Sequence, residues 1–274
     1  MLKNKEATME ILAFDIGGSK ISSAIISEQG KLLSSVSSIL TPKNAEEIKS
    51  FLEKKIKLTE CQGVAVATAG VVNQEKLIAK PHNLPQGYEN INFHKLTDKP
   101  VLVENDANSA LWAEYQIGVL KGTKYAVMLT LGTGVGCGIL CNGEILRGKV
   151  GAAGEVPFLV SGRDLADIAQ KNGLNENDCF KLCKLKEMHN IPAEKTFAEW
   201  QSRLVKCVAL LNSILDTEIV ALSGSLSKII DYSEVESLIN KQGYHNPLML
   251  KKAETGTNAG LIGAALLLEK KIYG

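Results

Sequence analysis

The sequence contains nothing near the ~18 consecutive apolar residues of a membrane-spanning helix, and Met1 to Glu10 alternates charge where a secretory signal needs an apolar stretch. These absences argue against a bilayer span and against export, and they predict a cytoplasmic protein. A dominant charge is lacking too. With 31 Lys and Arg against 30 Asp and Glu, the formal +1 offers no field for gripping nucleic acid or a membrane surface. Small neutral or anionic ligands are the expected partners. The six cysteines (Cys61, Cys137, Cys141, Cys179, Cys183, Cys207) are scattered and follow no signal, so no disulfide framework is expected, only reduced and mostly buried thiols. Cys137 and Cys141 share one face of an expected strand and read as small buried hydrophobes. Cys179, Cys183 and His189 are the residual zinc candidates, although the cysteine spacing equally describes one helix face. No low-complexity linker separates one part of the chain from another.

What is present is a pattern that occurs twice. Ile11 to Asp15 reads as a strand, Gly17-Gly18-Ser19-Lys20 as a turn and Ile21 to Ser27 as a second strand, with Lys31 to Leu40 completing an antiparallel meander after Gly30. Later, a strand over Tyr125 to Leu131 enters Gly132-Thr133-Gly134-Val135-Gly136-Cys137-Gly138. A hairpin around Asn142-Gly143 follows, joining Ile139–Cys141 to Gly143–Leu146. The repetition predicts two related α/β lobes. Helices are expected over Ala45–Leu58, Ala107–Tyr115, Trp200–Leu215 and Ala259–Glu269, and further strands over Gly63–Ala67, Val101–Val103 and Glu218–Leu222. The boundary falls after the helix ending near Tyr115. The N-terminal lobe is then 1–115, joined by the terminal helix 258–274, and the C-terminal lobe is 116–257.

Glycine turns can expose backbone N–H groups to phosphate oxygens, because no Cβ blocks the approach. Neither turn fits the common nucleotide-binding patterns. Gly17 to Lys20 lacks the Gly-x4-Gly-Lys of a P-loop, and the glycines from 132 to 138 repeat every second residue instead of following G-x-G-x-x-G. Both of those patterns also place a helix after the loop, whereas each turn here returns into a strand. A lone turn of this kind reads as an ordinary hairpin; two of them, with flanking hydroxyls and Asp15, favour a phosphate site.

Five segments in order resemble the ROK family (repressors, open reading frames, kinases) of the sugar kinase and actin superfamily. They are Asp15-Ile16-Gly17-Gly18-Ser19-Lys20, Glu104-Asn105-Asp106-Ala107-Asn108, Leu131 to Gly136, Gly151-Ala152-Ala153-Gly154-Glu155, and Asn258 to Ala264. The resemblance spans nearly the whole chain. It implies a two-lobed actin-like, hexokinase-like (ribonuclease H-like) fold with a mixed sheet in each lobe, and ATP-dependent phosphorylation of a hexose or N-acetylhexosamine hydroxyl. It further implies that Gly17, Gly18, Ser19, Lys20, Gly132, Thr133 and Gly134 face the ATP phosphates, with Gly224 and Ser225 near the adenosine. Asp15 would orient Mg2+ through water. Gly70, Asn105, Asp106 and Glu155 would line the sugar, and Asp106 would be the catalytic base. An ionised carboxylate bonded to the attacking hydroxyl suits phosphoryl transfer, and a helix cap or first-turn residue is the alternative reading of Asp106. A homodimer is implied by the family alone.

The departures are as specific as the matches. Pro157-Phe158 stands where the family has Gly-His, and the cysteine-rich zinc segment that usually precedes a stretch like Ser161-Gly162-Arg163 is missing, so zinc is not expected. Ala69 replaces the usual Pro, and Ser19 the usual Thr. With ten residues ahead of Ile11, a helix-turn-helix is not expected, which disfavours the family's repressor role. A non-catalytic sugar sensor, or a superfamily kinase for another small molecule, stays open.

Overall fold

The computed structural model describes residues 9–81, 83–157, 159–241 and 247–274; Phe158, named among the departures above, and His82 lie outside the described residues. The chain forms two units, one of residues 1–118, 147–153 and 257–274, the other of 119–146 and 154–256. Among the described residues no helix is long and apolar enough to cross a membrane.

The first unit begins with a meander of β1 (Glu10–Ile16), β2 (Lys20–Ser27) and β3 (Ser37–Leu40), followed by α1 (Ala45–Leu58) and β4 (Gly63–Thr68). A small hairpin of β5 (Val71–Asn73) and β6 (Lys76–Ala79) leads to β7 (Val101–Asn105) and α2 (Asp106–Ile117). The sheet order is β3-β2-β1-β4-β7, with β1 antiparallel to β2 and parallel to β4, and β4 parallel to β7. Alternation along β1 sends Leu12, Phe14 and Ile16 to one face, where they pack with Ile48, Leu52 and Ile56 of α1. Asn44 caps α1 by accepting the Glu46 N–H at 2.8 Å, Glu46 and Glu47 occupy its first turn, and Lys55 and Lys57 its last, each sign matched to the helix dipole.

The second unit repeats the plan. Its sheet is β10-β9-β8-β11-β12, from β8 (Ala126–Leu131), β9 (Val135–Cys141), β10 (Glu144–Ile145), β11 (Ile219–Ser223) and β12 (Met249–Lys252). Here too a three-stranded antiparallel meander is extended by two parallel strands. Between β10 and β11 run α3 (Gly162–Lys171), α4 (Cys179–Glu187) and α5 (Ile191–Leu215), and α6 (Tyr232–Asn240) precedes β12. Trp200, Leu204, Val208 and Leu211 of α5 share one buried core with Val127 and Leu129 of β8. The last helix, α7 (Ala259–Tyr273), belongs to the first unit and contacts β1, β4 and α2.

Three local expectations change. The third strand is Ser37–Leu40, not Lys31–Leu40; upstream only the bridge between Ile26 and Leu32 remains, and the Ser34 hydroxyl takes the Ile25 N–H at 2.9 Å, a side chain competing with the ladder. The long helix of the second unit starts at Ile191, where Asn190 accepts the Ala193 N–H at 3.0 Å and Pro192 sits in the first turn. Cys137 is buried, but Cys141 ends β9 and is exposed.

The small-residue sequence of α7 is explained by its neighbour. A Cβ at Gly263 would overlap the Ser109 carbonyl of α2 and lie 3.1 Å from the Ala113 nitrogen, so the two helices meet backbone to backbone. Gly263→Ala gains ~1 kcal/mol of helix propensity but overpacks against main-chain atoms that cannot rotate aside, at about 1–3 kcal/mol. A net loss is expected, read as a lower melting temperature. Gly134→Ala, where no atom lies within 4 Å of the added Cβ, should melt with the wild type; a Gly263→Ala variant as stable as wild type would contradict this packing.

Candidate active site

In each unit the candidate residues gather where parallel strands end. Across the first sheet Ile16 is in register with Thr68, and Thr68 with Asn105, so β1, β4 and β7 finish in line. Those strand ends and the turns that follow them carry Asp15 to Lys20, Gly70, and Asn105 with Asp106. In the second sheet Thr130 pairs with Ser223, so Gly132 and Gly224 leave adjacent strand ends. Loops at the carboxyl ends of parallel strands are the usual ligand sites of α/β sheets.

The Gly17–Ser19 loop is held from behind. The Gly17 N–H bonds the Lys20 carbonyl at 3.0 Å, while the Thr41 hydroxyl donates to the Gly17 carbonyl at 2.6 Å and the Thr41 N–H to the Ser19 carbonyl at 3.1 Å. The N–H groups of Gly18 and Ser19 have no acceptor among the described residues. A Cβ at Gly18 would run into the Asn83 side chain, which would have to move aside. Thr41 escaped the sequence reading because it lies 24 residues from Gly17 and outside any motif.

Asn105, not Asp106, caps α2. Its Oδ1 accepts the N–H of Ala107 at 2.9 Å and of Asn108 at 3.1 Å, and its Nδ2 donates to the Gly70 carbonyl at 2.9 Å. One Nδ2 hydrogen is left for another partner. Asp106 is the first residue of the helix, partly exposed, with Oδ1 accepting the Ala107 N–H at 2.9 Å. Gly70 has φ +109°, and the Ala79 carbonyl fills the place of a Cβ. That supplies an internal reason for this glycine beside the sugar contact implied by resemblance.

Burial raises the pKa of Asp106, against the opposing pull of the Ala107 N–H. Asp15 is pushed from its ordinary 3.8 up to about 7, chiefly by burial and then by the charge of Asp106, with Lys20 pulling the other way. Beneath them the Thr68 and Tyr88 hydroxyls share a buried 2.7 Å hydrogen bond. Both carboxylates push the Tyr88 phenol further up, beyond the effect of its burial. Neither Thr68 nor Tyr88 was singled out in the sequence, where each reads as an ordinary core or turn residue.

In the second unit the Gly132 N–H closes on the Gly134 carbonyl at 3.0 Å and the Gly136 N–H on the Thr130 hydroxyl at 3.1 Å. The Thr133 and Gly134 N–H groups have no acceptor among the described residues. A Cβ at Gly134 would meet nothing within 4 Å and one at Gly132 only the Gly134 carbonyl at 3.9 Å, so packing within the protein does not explain these two glycines. Gly224 differs: its φ is +86° and the Leu131 backbone occupies its Cβ position.

Beside this loop lies a cavity of ≈ 710 Å³ that Gly132, Thr133 and Ser225 line together with α3. The volume is within the ~300–1,000 Å³ of small-molecule sites. Ser161 and Asp164 form a capping box at the start of α3, and the Gly162 N–H donates to the Gly132 carbonyl at 2.8 Å, tying helix to loop. Arg163, Asp167 and Gln170 then follow along the cavity at helical spacing. None of the three was anticipated, because polar residues at this spacing read as a solvated face.

Glu155 is exposed and follows Gly154, whose φ of +94° is required where the Cys137 carbonyl occupies the Cβ position. Its charge adds to the burial that lifts the Cys137 thiol to about 12. Among the described residues no group of three or more His, Cys, Asp or Glu is placed to hold a metal ion. Cys179 and Cys183 pack against the core of the second unit, and His189 Nδ1 lies 3.1 Å from Glu194 Oε1.

The model of the ROK family matches residues 11–158 and 156–271. The chain belongs to the ROK family. Within it, the β-glucoside kinase of Listeria monocytogenes serovar 1/2a is 28% identical over 285 residues, covering 93% of this chain and 96% of the relative. The N-acetylmannosamine kinase of Escherichia fergusonii is 29% identical over 291 residues, covering 95% and 99%. The fold matches a ROK family glucokinase from Streptomyces griseus, solved with glucose and AMPPNP, at a TM-score of 0.73 and 25% identity over 94% of this chain and 98% of that one. This ROK member is a sugar kinase with the mixed α/β, hexokinase-like fold.

The Asp15 carboxyl gives a pH signature. Folded, it holds its proton up to about pH 7, while unfolded it ionises near 3.8, so the folded state binds more protons between those values and stability declines as pH rises through the window. Asp15→Asn removes the penalty. In ligand-free protein the melting temperature of Asp15→Asn minus that of wild type should therefore grow from pH 4 to pH 8. A difference that is flat or shrinks with pH would contradict the environment described for Asp15.

Proposed function

We propose that this ROK sugar kinase transfers the γ-phosphate of ATP to a hydroxyl of a hexose or N-acetylhexosamine, with Asp106 as general base. The observation that carries the reading is the placement of Asp106. It stands at the first turn of α2 with Oδ1 committed to the Ala107 N–H and no bond to Oδ2 among the described residues, so one carboxylate oxygen is left to accept a proton. Ionised, it takes the hydroxyl proton as the oxygen attacks phosphorus. Asn105 offers its remaining Nδ2 hydrogen to a neighbouring hydroxyl, and Gly70 and Glu155 complete the proposed sugar contacts. The β-glucosides, N-acetylmannosamine and glucose named for the relatives support a pyranose acceptor without selecting one.

The nucleotide reading rests on the second unit. Thr133 and Gly134 present bare N–H groups at a loop with room beside it, and the cavity continues along α3. Arg163 follows Gly162, whose N–H is bonded to the loop, so the phosphates belong at that end; the family resemblance assigns Gly224 and Ser225 to the adenosine. Gln170 is seven residues further on, about 10 Å at 1.5 Å per residue, roughly the reach from the phosphates to the base. Gly17, Gly18, Ser19 and Lys20 give further phosphate donors in the first unit.

Asp15 suits hydrated Mg2+: it is a carboxyl whose pKa burial and a second carboxylate hold at about 7, an environment that added positive charge relieves. Such an ion, when bound, neutralises the phosphate charge during transfer. Lys20 partly balances the same charge. Zinc has no part in the proposal. A cytoplasmic location is carried forward from the sequence composition, and a homodimer on the family resemblance alone.

Asp106→Asn keeps size and one acceptor but cannot take the proton. We expect kcat to fall by ~10²–10⁴-fold, with ADP affinity and melting temperature near wild type, because the cap of α2 is Asn105. Wild-type turnover in this variant removes Asp106 as the base. Wild-type protein that binds sugars and transfers no phosphate to any of them would make it a sensor. In purified protein, elemental analysis should find zinc well below one per chain; stoichiometric zinc that resists chelation would show that this sequence has built a replacement site.

A further inference from the structure

The segment around Asp106 that carries the family resemblance begins with a residue to which the proposed chemistry gives no task. Glu104 is buried at the end of β7, its side chain 5% exposed, in a position where a carboxylate is expensive unless paired. Its Oε1 accepts the Asn105 N–H at 2.9 Å and the Asn108 Nδ2 hydrogen at 3.1 Å. Its Oε2 accepts two hydrogens from Arg147, from Nε at 2.8 Å and Nη2 at 2.6 Å. Glu104 thus spans from the guanidinium to the residue that caps α2, one position before Asp106.

Arg147 comes from elsewhere in the chain. It opens the stretch 147–153, which belongs to the first unit although its sequence neighbours on both sides belong to the second. The Ala153 N–H closes this stretch on the Arg147 carbonyl at 3.1 Å. Gly151, at φ +81°, sits so tightly on the Val72 carbonyl that no Cβ fits. Val72 is two residues beyond Gly70, whose carbonyl holds the Asn105 amide. The contacts close a ring: Arg147 to Glu104, Glu104 to Asn105, Asn105 to Gly70, and from Val72 through Gly151 back to Arg147. Asp106 extends from this ring at Asn105.

We propose that Arg147 is a positioning residue for phosphotransfer: its fork is the charge partner of the buried Glu104 carboxyl, whose other oxygen holds the Asn105 main chain that aims Asp106. The inference rests on the kinase reading with Asp106 as base. The ion pair is asymmetric, Arg147 being 41% exposed and Glu104 5%. Removing the arginine strands a buried charge, whereas removing the glutamate's charge leaves a guanidinium that water can solvate. Arg147 is therefore expected to matter more than the charge it neutralises, the reverse of what a sequence motif containing Glu104 but not Arg147 would suggest.

The test is a double-mutant cycle in the purified enzyme, using whichever sugar gives turnover. Arg147→Met should lower kcat ten- to a hundredfold with KM for ATP within about twofold of wild type, since the nucleotide contacts of the second unit are untouched. Glu104→Gln, which still accepts the Asn105 N–H, should lose less. The double variant should recover at least severalfold over Arg147→Met, because the stranded charge is gone. If Arg147 instead touched the substrate, the double variant would be as impaired as Arg147→Met, and that result, or wild-type kcat in Arg147→Met, overturns the proposal. Should Arg147→Met fail to fold, Arg147→Lys carries the test: charge without the fork should cost kcat severalfold at unchanged KM for ATP, and wild-type kcat there counts against it. An inactive wild type would defeat the kinase reading separately. The clasp would then be judged by melting temperature, with the double variant above Arg147→Met in support and equal values against.

Discussion

The parallel register of β1, β4 and β7 is the constraint from which the first unit's chemistry follows. Ile16, Thr68 and Asn105 are aligned across three strands, and a shift of one residue in any of them would turn every side chain of that strand to the opposite face. The register is enforced from both sides, by Leu12, Phe14 and Ile16 against α1 and by α7 against the other face. Because the strands stop together, the loops beyond them start together, and Asp15 comes close enough to Asp106 to feel its charge. The second sheet repeats the arrangement with Thr130 and Ser223, where the loops deliver glycines instead of carboxylates.

The architecture was legible because its signals are local. A strand, a glycine turn and a returning strand are written in adjacent residues, and their recurrence near Gly132 disclosed the two-unit plan. Motif segments likewise drew attention to Asp15, Asn105 and Asp106, and the structure brings these onto neighbouring strand ends. Local pattern also misled where backbone competition was involved: the serines after Gly30 suit a strand by composition, yet the Ser34 hydroxyl takes the place of a ladder partner.

The supporting contacts were not legible, for a physical reason. Arg147 and Glu104 are 43 residues apart, Thr41 and Gly17 are 24 apart, and Gly263 meets α2 from the far end of the sequence. Each becomes visible only once a buried acceptor or a missing Cβ shows that some partner is required. The face of α3 that lines the cavity was missed differently, since a polar helical stripe looks the same whether it faces bulk water or a solvent-filled cleft.

The position of α7 in the chain has a consequence for biosynthesis. The first unit draws on three separate stretches, and the last of them covers the face of β1 and β4 on which Ile11 and Ala13 lie. Domains commonly fold in the order in which the ribosome releases them. Here that order is inverted: the second unit is complete at residue 256, while the unit that starts the chain still shows a bare apolar sheet face until residues 257–274 have emerged. During translation this face, not the finished second unit, is the surface that chaperones would have to shield.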